Sequence, residues 1–306
     1  VPARATVSGA TGLIGSRVVP ALLRAGVEVT VLSRDAARAR ARLPRELEVA
    51  AWDPLAQPAP AAALEGRDAV IHLVGENVGQ RWSARAKRAI RDSRVHGTEH
   101  LVAGLAATSE RPRTLVCSSA IGYYGAAGDE PLDEDAPPGR DFLAQVCVEW
   151  EGRARRASEL GLRVVNVRTG VVLDRAGGAL ARMLTPFRLG LGGPLAGGEQ
   201  FMSWIHHEDL VALILAAVFD ERFSGPLNAT APEPVTNRTF ARTLARVLRR
   251  PALFPVPALA LRAVFGEMSR VLAEGARVMP AKALVLGFGF RYPELEGALR
   301  AALARP

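Results

Sequence analysis

The stretch Thr6-Val7-Ser8-Gly9-Ala10-Thr11-Gly12-Leu13-Ile14-Gly15 constrains this chain more than any other. A short apolar run breaks into glycines at G-x-x-G-x-x-G spacing, and helical periodicity resumes at Val18, Val19, Leu22 and Leu23. That order predicts a strand, a phosphate loop and a helix start. Free backbone N–H groups and the positive end of a helix dipole converge at such a junction, which suits the pyrophosphate of a dinucleotide. Each glycine has a use there. Gly9 takes the tight turn out of the strand, Gly12 leaves room for the pyrophosphate, and Gly15 lets the helix lie close on the sheet. Thr11, Leu13 and Ile14 complete the expected cofactor loop; a plain tight turn is the competing reading.

With 306 residues, 49% hydrophobic and 23% charged, the chain can bury one large core or two smaller ones. No apolar run has the length of a membrane span, the longest being Leu210 to Phe219. The chain enters its first strand at once, so no signal peptide is expected. Cys117 and Cys147 form neither a spaced metal set nor a disulfide framework, which points to core thiols in a reducing cytoplasm. A net charge of +8 raises the question of nucleic acid. Yet the basic residues are almost all arginine, set at helical spacing between Arg34 and Arg45 and at Arg246, Arg249 and Arg250, with no interleaved aromatic stripe. The expected partner is a small molecule, not nucleic acid or membrane, and a homodimer is left open.

Val27 to Arg34 is rich in β-branched residues and reads as a second strand, whose end selects the cofactor. An acid there would accept from both ribose hydroxyls of NAD(H), whereas a 2′-phosphate needs a cation and small hydroxyl donors. Ser33 and Arg34 stand at that place, with Asp35 just after and Arg38 one turn on. NADP(H) is therefore expected, with NAD(H) as the alternative and a plain surface arginine as the competing account of Arg34. A third strand, Leu47 to Ala51, leads to Asp53, which can reach an adenine amine. Asp68 to Gly75 reads as a buried fourth strand whose end, Leu73 and Val74, faces the cofactor. His72 within it reads as a hydrogen-bonded core histidine. A helix from Ser83 to Ala107 carries Lys87, Ser93 and Arg94. The strand Thr114 to Ser119, with Cys117 inside it, opens into Ala120 to Gly125. An acidic loop from Asp129 to Arg140, a helix from Phe142 to Ala157 and a strand from Leu162 to Val167 follow, ending in Arg168-Thr169-Gly170.

Alternating strands and helices predict an α/β fold, a Rossmann-type doubly wound parallel sheet over residues 1–170. Residues around 200–230 return to it, and residues 171–306 otherwise form a small C-terminal substrate-side lobe. Gly190 to Gly198 is a substrate-side segment or a linker. His206-His207-Glu208-Asp209 reads as a helix start in which Asp209 serves the first turn, so no metal site is expected.

Gly9 to Gly15, His72-Leu73-Val74, Ser118-Ser119 with Tyr124-Gly125, Arg168-Thr169-Gly170 and Ser203-Trp204-Ile205-His206 together resemble extended short-chain dehydrogenase/reductases, the NAD(P)-dependent sugar epimerase and dehydratase superfamily. More narrowly, Arg81-Trp82, Ser93-Arg94-Val95, Gly122 to Gly125, Phe142 to Ala144 and Trp150-Glu151 resemble an atypical epimerase-like branch. That branch carries an extra C-terminal segment, matched here by Gly287 to Pro293. The resemblance runs from end to end and implies a cofactor set of Gly9, Thr11, Gly12, Leu13, Ile14, Gly15, Ser33, Arg34, Asp53, Leu73, Val74, Arg94, Cys117 and Arg168.

Typical members use a Tyr-x-x-x-Lys helix in which the lysine lowers the tyrosine pKa. The helix here reads Phe142-Leu143-Ala144-Gln145-Val146-Cys147 and lacks that pair. Ala120 stands where many epimerases carry Ser or Thr, with Ser119 one residue early, and Arg94 falls where relatives often have asparagine. The catalytic candidates are therefore Tyr123 or Tyr124, with Ser119 as hydrogen-bonding partner, and Glu76, Lys87 or Arg94 across the cleft. Loop packing is the competing account of either tyrosine. Arg81 and Lys87 offer charge to an anionic substrate, or are ordinary exposed helix charges. The implied function is an NADP(H)-dependent oxidoreductase or epimerase acting on a small hydroxyl or carbonyl compound or a nucleotide-linked sugar. The alternative is an NADP(H)-binding redox sensor or interaction protein without turnover.

Overall fold

In the computed structural model, residues 4–45 and 47–304 are described. The first half builds β1 (Arg4–Ser8), α1 (Gly15–Arg24), β2 (Glu28–Ser33), α2 (Ala36–Arg42), β3 (Glu48–Ala51), β4 (Ala69–His72), α3 (Ala84–Ala106) and β5 (Thr114–Ala120). After β6 (Gly128–Leu132) come α4 (Phe142–Arg155) and β7 (Arg163–Thr169). The later elements are β8 (Val171–Leu173), α5 (Gly178–Arg188), β9 (Phe201–Met202), β10 (Trp204–His206), α6 (His207–Phe219), β11 (Gly225–Ala229), β12 (Val235–Thr236) and α7 (Asn237–Leu248). The chain closes with α8 (Ala258–Phe265), α9 (Ser269–Ala273), β13 (Ala276–Val278), α10 (Ala281–Val285) and α11 (Leu295–Leu303).

Seven strands form one sheet in the order β11-β7-β5-β4-β1-β2-β3, every pair parallel. The architecture is the doubly wound α/β sheet expected from the alternation. Register explains the core. Val31, Val7, Ile71, Val116 and Val165 are successive partners across five strands, and all lie in one buried cluster. Each such side chain contributes about 2 kcal/mol on burial. On that face Val18, Val19 and Leu22 of α1 share a core with Leu210, Leu213 and Ile214 of α6. The opposite face meets Leu101 and Leu105 of α3 and Trp150 and Ala154 of α4. One residue further along, the row Leu32, Ser8, His72, Cys117 and Asn166 crosses the same strands.

A separate core, including Leu180, Leu184, Trp204, Phe240, Leu244 and Leu299, holds α5, α7 and α11 together around β8 and β10. Three expectations shift. β4 ends at His72, because the chain leaves the sheet as Leu73 passes over Gly9. The expected acidic loop begins as β6, which pairs in parallel with β13. Its sequence Gly-Asp-Glu-Pro-Leu is exposed and has no apolar alternation, so no periodicity marks it. The helix expected to end at Ala157 stops at Arg155 and tightens into a 3₁₀ turn through Leu160.

Candidate active site at the carboxyl edge of the sheet

The glycine loop sits where β1 leaves the sheet. Gly9 has φ +76°, and a Cβ there would lie 2.8 Å from the Leu73 carbonyl. A Cβ on Gly15 would lie 2.2 Å from the Gly9 oxygen and 2.6 Å from the Ala10 Cα. Gly15 therefore closes the helix against the end of β1 itself. Gly12 differs, since its nearest neighbour would be the Gly9 oxygen at 3.2 Å. Its freedom is directed outward. No side chain caps the start of α1 and no acid stands in its first turn, so the N–H groups around Leu13 and Ile14 are available to an anion.

At the end of β2, Ser33 Oγ donates to the Asp35 carbonyl at 3.1 Å, and the Asp35 carboxylate accepts from Arg38 N at 2.9 Å. Asp35 is thus engaged in capping α2, while Arg34 is exposed beside it. Asp53 is exposed, and its Oδ1 accepts from Leu55 N. Leu73 and Val74 are half-buried beyond the end of β4. His72 is fully buried: Nδ1 lies 2.7 Å from Ser8 Oγ, and burial pulls its pKa down to about 4.

Behind the edge lies a charged network that the residue pattern alone did not disclose. Glu151 is buried and accepts from Ser119 Oγ at 2.6 Å and from Arg168 Nε and Nη2 at 2.9 and 3.0 Å. Arg168 Nη1 donates to the Tyr124 hydroxyl at 2.8 Å and to the Glu134 carbonyl at 3.1 Å. The Tyr124 oxygen is also 2.7 Å from Asn228 Oδ1 and 2.8 Å from the Asp133 carbonyl, and its one proton serves one of them at a time. Burial drives the Tyr124 phenol up to about 12, against the lowering pull of Arg168. Glu134 in turn accepts from Asn228 N and Lys282 N, pinning β11 and α10 to the network.

The structure brings Ser119, Tyr123, Tyr124 and Arg168 together. Arg168, read as facing the cofactor, is instead buried and committed to Glu151. The Tyr123 ring lies over its guanidinium, 3.5 Å from centroid to Cζ, and the Tyr123 hydroxyl has no hydrogen-bond partner among the described residues. Cys117 turns into the core between sheet and α4, and burial pushes its thiol up to about 12. Glu151, Glu134 and Asn228 are the residues sequence reasoning missed. The signal for Glu151 was present: it falls in the stripe Cys147, Trp150, Glu151, Ala154, an otherwise apolar helix face.

Around the mouth of the cleft the cations are mostly engaged. Arg81 Nη1 donates to the Ala263 carbonyl at 2.9 Å, and Lys87 pairs with Glu267 at 2.6 Å, so both hold the C-terminal lobe. Arg182 donates to the Gly79 carbonyl. Lower down, the Asp209 carboxylate accepts from Arg291 N and Tyr292 N, at 2.8 and 3.0 Å. It therefore anchors the C-terminal segment, and the His206 ring takes the first-turn N–H of Glu208 instead. His206, His207 and Glu208 offer ligand atoms within 4.8 Å of one another, but Glu208 is ion-paired to Arg291 and His207 Nδ1 bonds the Leu173 carbonyl.

Residues 5–226 match the model of the NAD dependent epimerase/dehydratase family, and residues 256–302 match a domain of unknown function, DUF1731. The chain belongs to the NAD dependent epimerase/dehydratase family. Within that family it is 42% identical to an epimerase family protein of Mycobacterium bovis, with 98% of this chain and 97% of the relative aligned. It is 39% identical to a chloroplastic SDR39U1 homologue of Arabidopsis thaliana, over 97% of this chain and 86% of that protein. Among solved structures, human epimerase family protein SDR39U1 (isoform 2) with NADPH superposes with a TM-score of 0.87 at 35% identity, covering 97% of this chain and 98% of that one. The extended dehydrogenase/reductase resemblance is thereby established for this epimerase-family chain. No helix of the described residues is long and apolar enough to cross a membrane.

Proposed function

We propose that this protein binds NADP(H) along the carboxyl ends of β1, β2 and β4 and acts as an oxidoreductase or epimerase on a small hydroxyl- or carbonyl-bearing molecule. The observation that carries the reading is the uncapped, glycine-lined start of α1, with exposed Arg34 next to an Asp35 already spent as a cap. The residues fit the cofactor. Gly12, Leu13 and Ile14 would hold the pyrophosphate, Ser33 and Arg34 the 2′-phosphate, and Asp53 the adenine amine, with Leu73 and Val74 along its flank. The bound nicotinamide supplies hydride chemistry. NADPH in the human relative's structure supports the choice of phosphate form. A cytoplasmic setting stays part of the proposal and rests on two buried, unpaired thiols.

Of the catalytic candidates, Tyr123 is assigned the proton exchange, since its hydroxyl is uncommitted and its ring is held by Arg168. Tyr124 and Ser119 act as positioning residues through Arg168 and Glu151. Titration calorimetry should give tighter binding of NADPH than of NADH, and Arg34→Ala should weaken NADPH selectively. Equal or tighter NADH binding overturns the preference; no binding of either overturns the reading. Absorbance assays against a panel of carbonyls and sugar nucleotides should then show turnover that Tyr123→Phe lowers by about a hundredfold. One observation favours a binder without turnover. The α4 face that carries a Tyr-x-x-x-Lys pair in typical members presents the buried Cys147 thiol, which burial pushes up to about 12. Cofactor binding with no turnover across the panel decides for that reading.

A further inference from the structure

Arg94 projects from α3 into the corner between the ends of β4 and β5. A Cβ added to Gly75 would lie 3.0 Å from its Cζ and Nη2, and its guanidinium is 5.2 Å from the Trp150 ring of α4. Nη1 donates to the main-chain oxygens of Ile90 and Glu76, both at 3.0 Å. Nη2 and Nε make no hydrogen bond among the described residues, and the neighbouring Glu76 carboxylate acts on the guanidinium through space rather than as a close ion pair. Other inward-facing arginines are treated differently. Arg168 has Glu151, and Arg163 spreads its donors over the carbonyls of Ala217, Val218 and Phe223 and the Thr114 hydroxyl.

Arg94 is half-buried, and its free Nε and Nη2 are not sealed from solvent, so an anion entering the cleft meets a guanidinium already fixed on its far side by the two Nη1 bonds. A guanidinium stays protonated under any working condition, and its fork matches a carboxylate. Gly75 and Glu76 above it are exposed, so the site opens at the carboxyl edge where ligands of this fold class bind. Arg81, Lys87 and Arg182 are occupied with the C-terminal lobe and its neighbouring loop, which leaves Arg94 to face an incoming anion.

We infer that Arg94 is the recognition point for a carboxylate-bearing substrate, a role that rests on the cofactor-site reading above and gives it a substrate class. Nη2 and Nε take the carboxylate, Trp150 and Gly75 fix the plane of the fork, and Tyr123 works on the hydroxyl or carbonyl end of the same molecule.

The test uses the full chain, ¹⁵N-labelled, with and without NADPH. Its probe is malonate, compared with uncharged malonamide at matched ionic strength. The Arg94 Nε–H signal, assigned by its loss in Arg94→Lys, should shift saturably with malonate and not with malonamide. Arg94→Met should weaken malonate roughly ten- to hundredfold, while the urea midpoint falls only modestly because the two Nη1 hydrogen bonds to the Ile90 and Glu76 carbonyls are lost with it. No malonate-dependent shift in either form, with NADPH binding intact by calorimetry, overturns the inference and leaves the cofactor reading standing. Failure of NADPH to bind overturns the cofactor reading, and malonate titration of the free protein then decides the Arg94 site by itself. A lowered midpoint in Arg94→Met with unchanged malonate affinity makes Arg94 structural and overturns the inference.

Discussion

The Arg168–Glu151 pair shows how much of this site is decided by single side chains. Both groups are almost wholly withdrawn from water, with side-chain exposures of 3% and 1%. Glu151→Ala leaves the guanidinium buried and unneutralised, which should cost about 3–5 kcal/mol in urea unfolding. A Glu151→Leu, Arg168→Leu double variant should recover much of that loss, because both charges go together; a double variant as unstable as the single would sink this account. Sequence reasoning chose Ser119, Tyr123 and Tyr124 from their place beyond the end of β5 and Arg168 from the family resemblance, and the four side chains converge. It could not say that Arg168 turns inward. The apolar stripe of Cys147, Trp150 and Ala154 marks Glu151 as inward-facing, but which cation it meets there is decided by the fold.

At the scale of elements, the glycine loop separates folding from binding. Gly15→Ala puts a Cβ 2.2 Å from a backbone oxygen, and nothing flexible is there to yield. Gly12→Ala meets only a contact of 3.2 Å. Thermal unfolding should therefore fall steeply for Gly15→Ala and stay within about 0.5 kcal/mol of the parent for Gly12→Ala. NADPH affinity should nonetheless drop for Gly12→Ala, because the added methyl occupies the face toward the pyrophosphate. Full affinity in Gly12→Ala would place the pyrophosphate elsewhere. Strands β1, β2, β4, β5 and β7 were legible because both faces of the sheet are covered, so each reads as a near-continuous run of small apolar and β-branched residues. β6 and β13 were not, since their pairing joins an exposed polar strand to a segment about 150 residues away, and only the fold brings them together.

For the whole molecule, acid stability follows from its histidines. Burial lowers the His72 pKa from 6.5 to about 4, and burial with the neighbouring His207 lowers that of His206 to about 3. Both stay neutral in the folded protein while the unfolded chain takes up protons near pH 6.5. Their contribution is thus fully present above that pH and is lost progressively as pH falls toward 4 and 3. Urea midpoints should decline between pH 7 and pH 4.5, and His72→Gln should flatten the decline; an unchanged slope in that variant would remove His72 from the account. The doubly wound plan itself was readable from alternation alone, whereas the way the C-terminal lobe ties back through Asp209, Glu134 and Arg81 was not, being made of contacts to main-chain atoms.

The sheet order carries a consequence for how the chain comes into being. β7 ends at Thr169, but its outer neighbour β11 begins only at Gly225, with β8, α5, β9, β10 and α6 made in between. A ribosome-bound chain thus presents β7 as a bare edge until more than fifty further residues have emerged. Val164, Val165 and Val167 make that edge apolar. The nascent protein is most exposed to mispairing during this interval, and chaperone dependence should concentrate there.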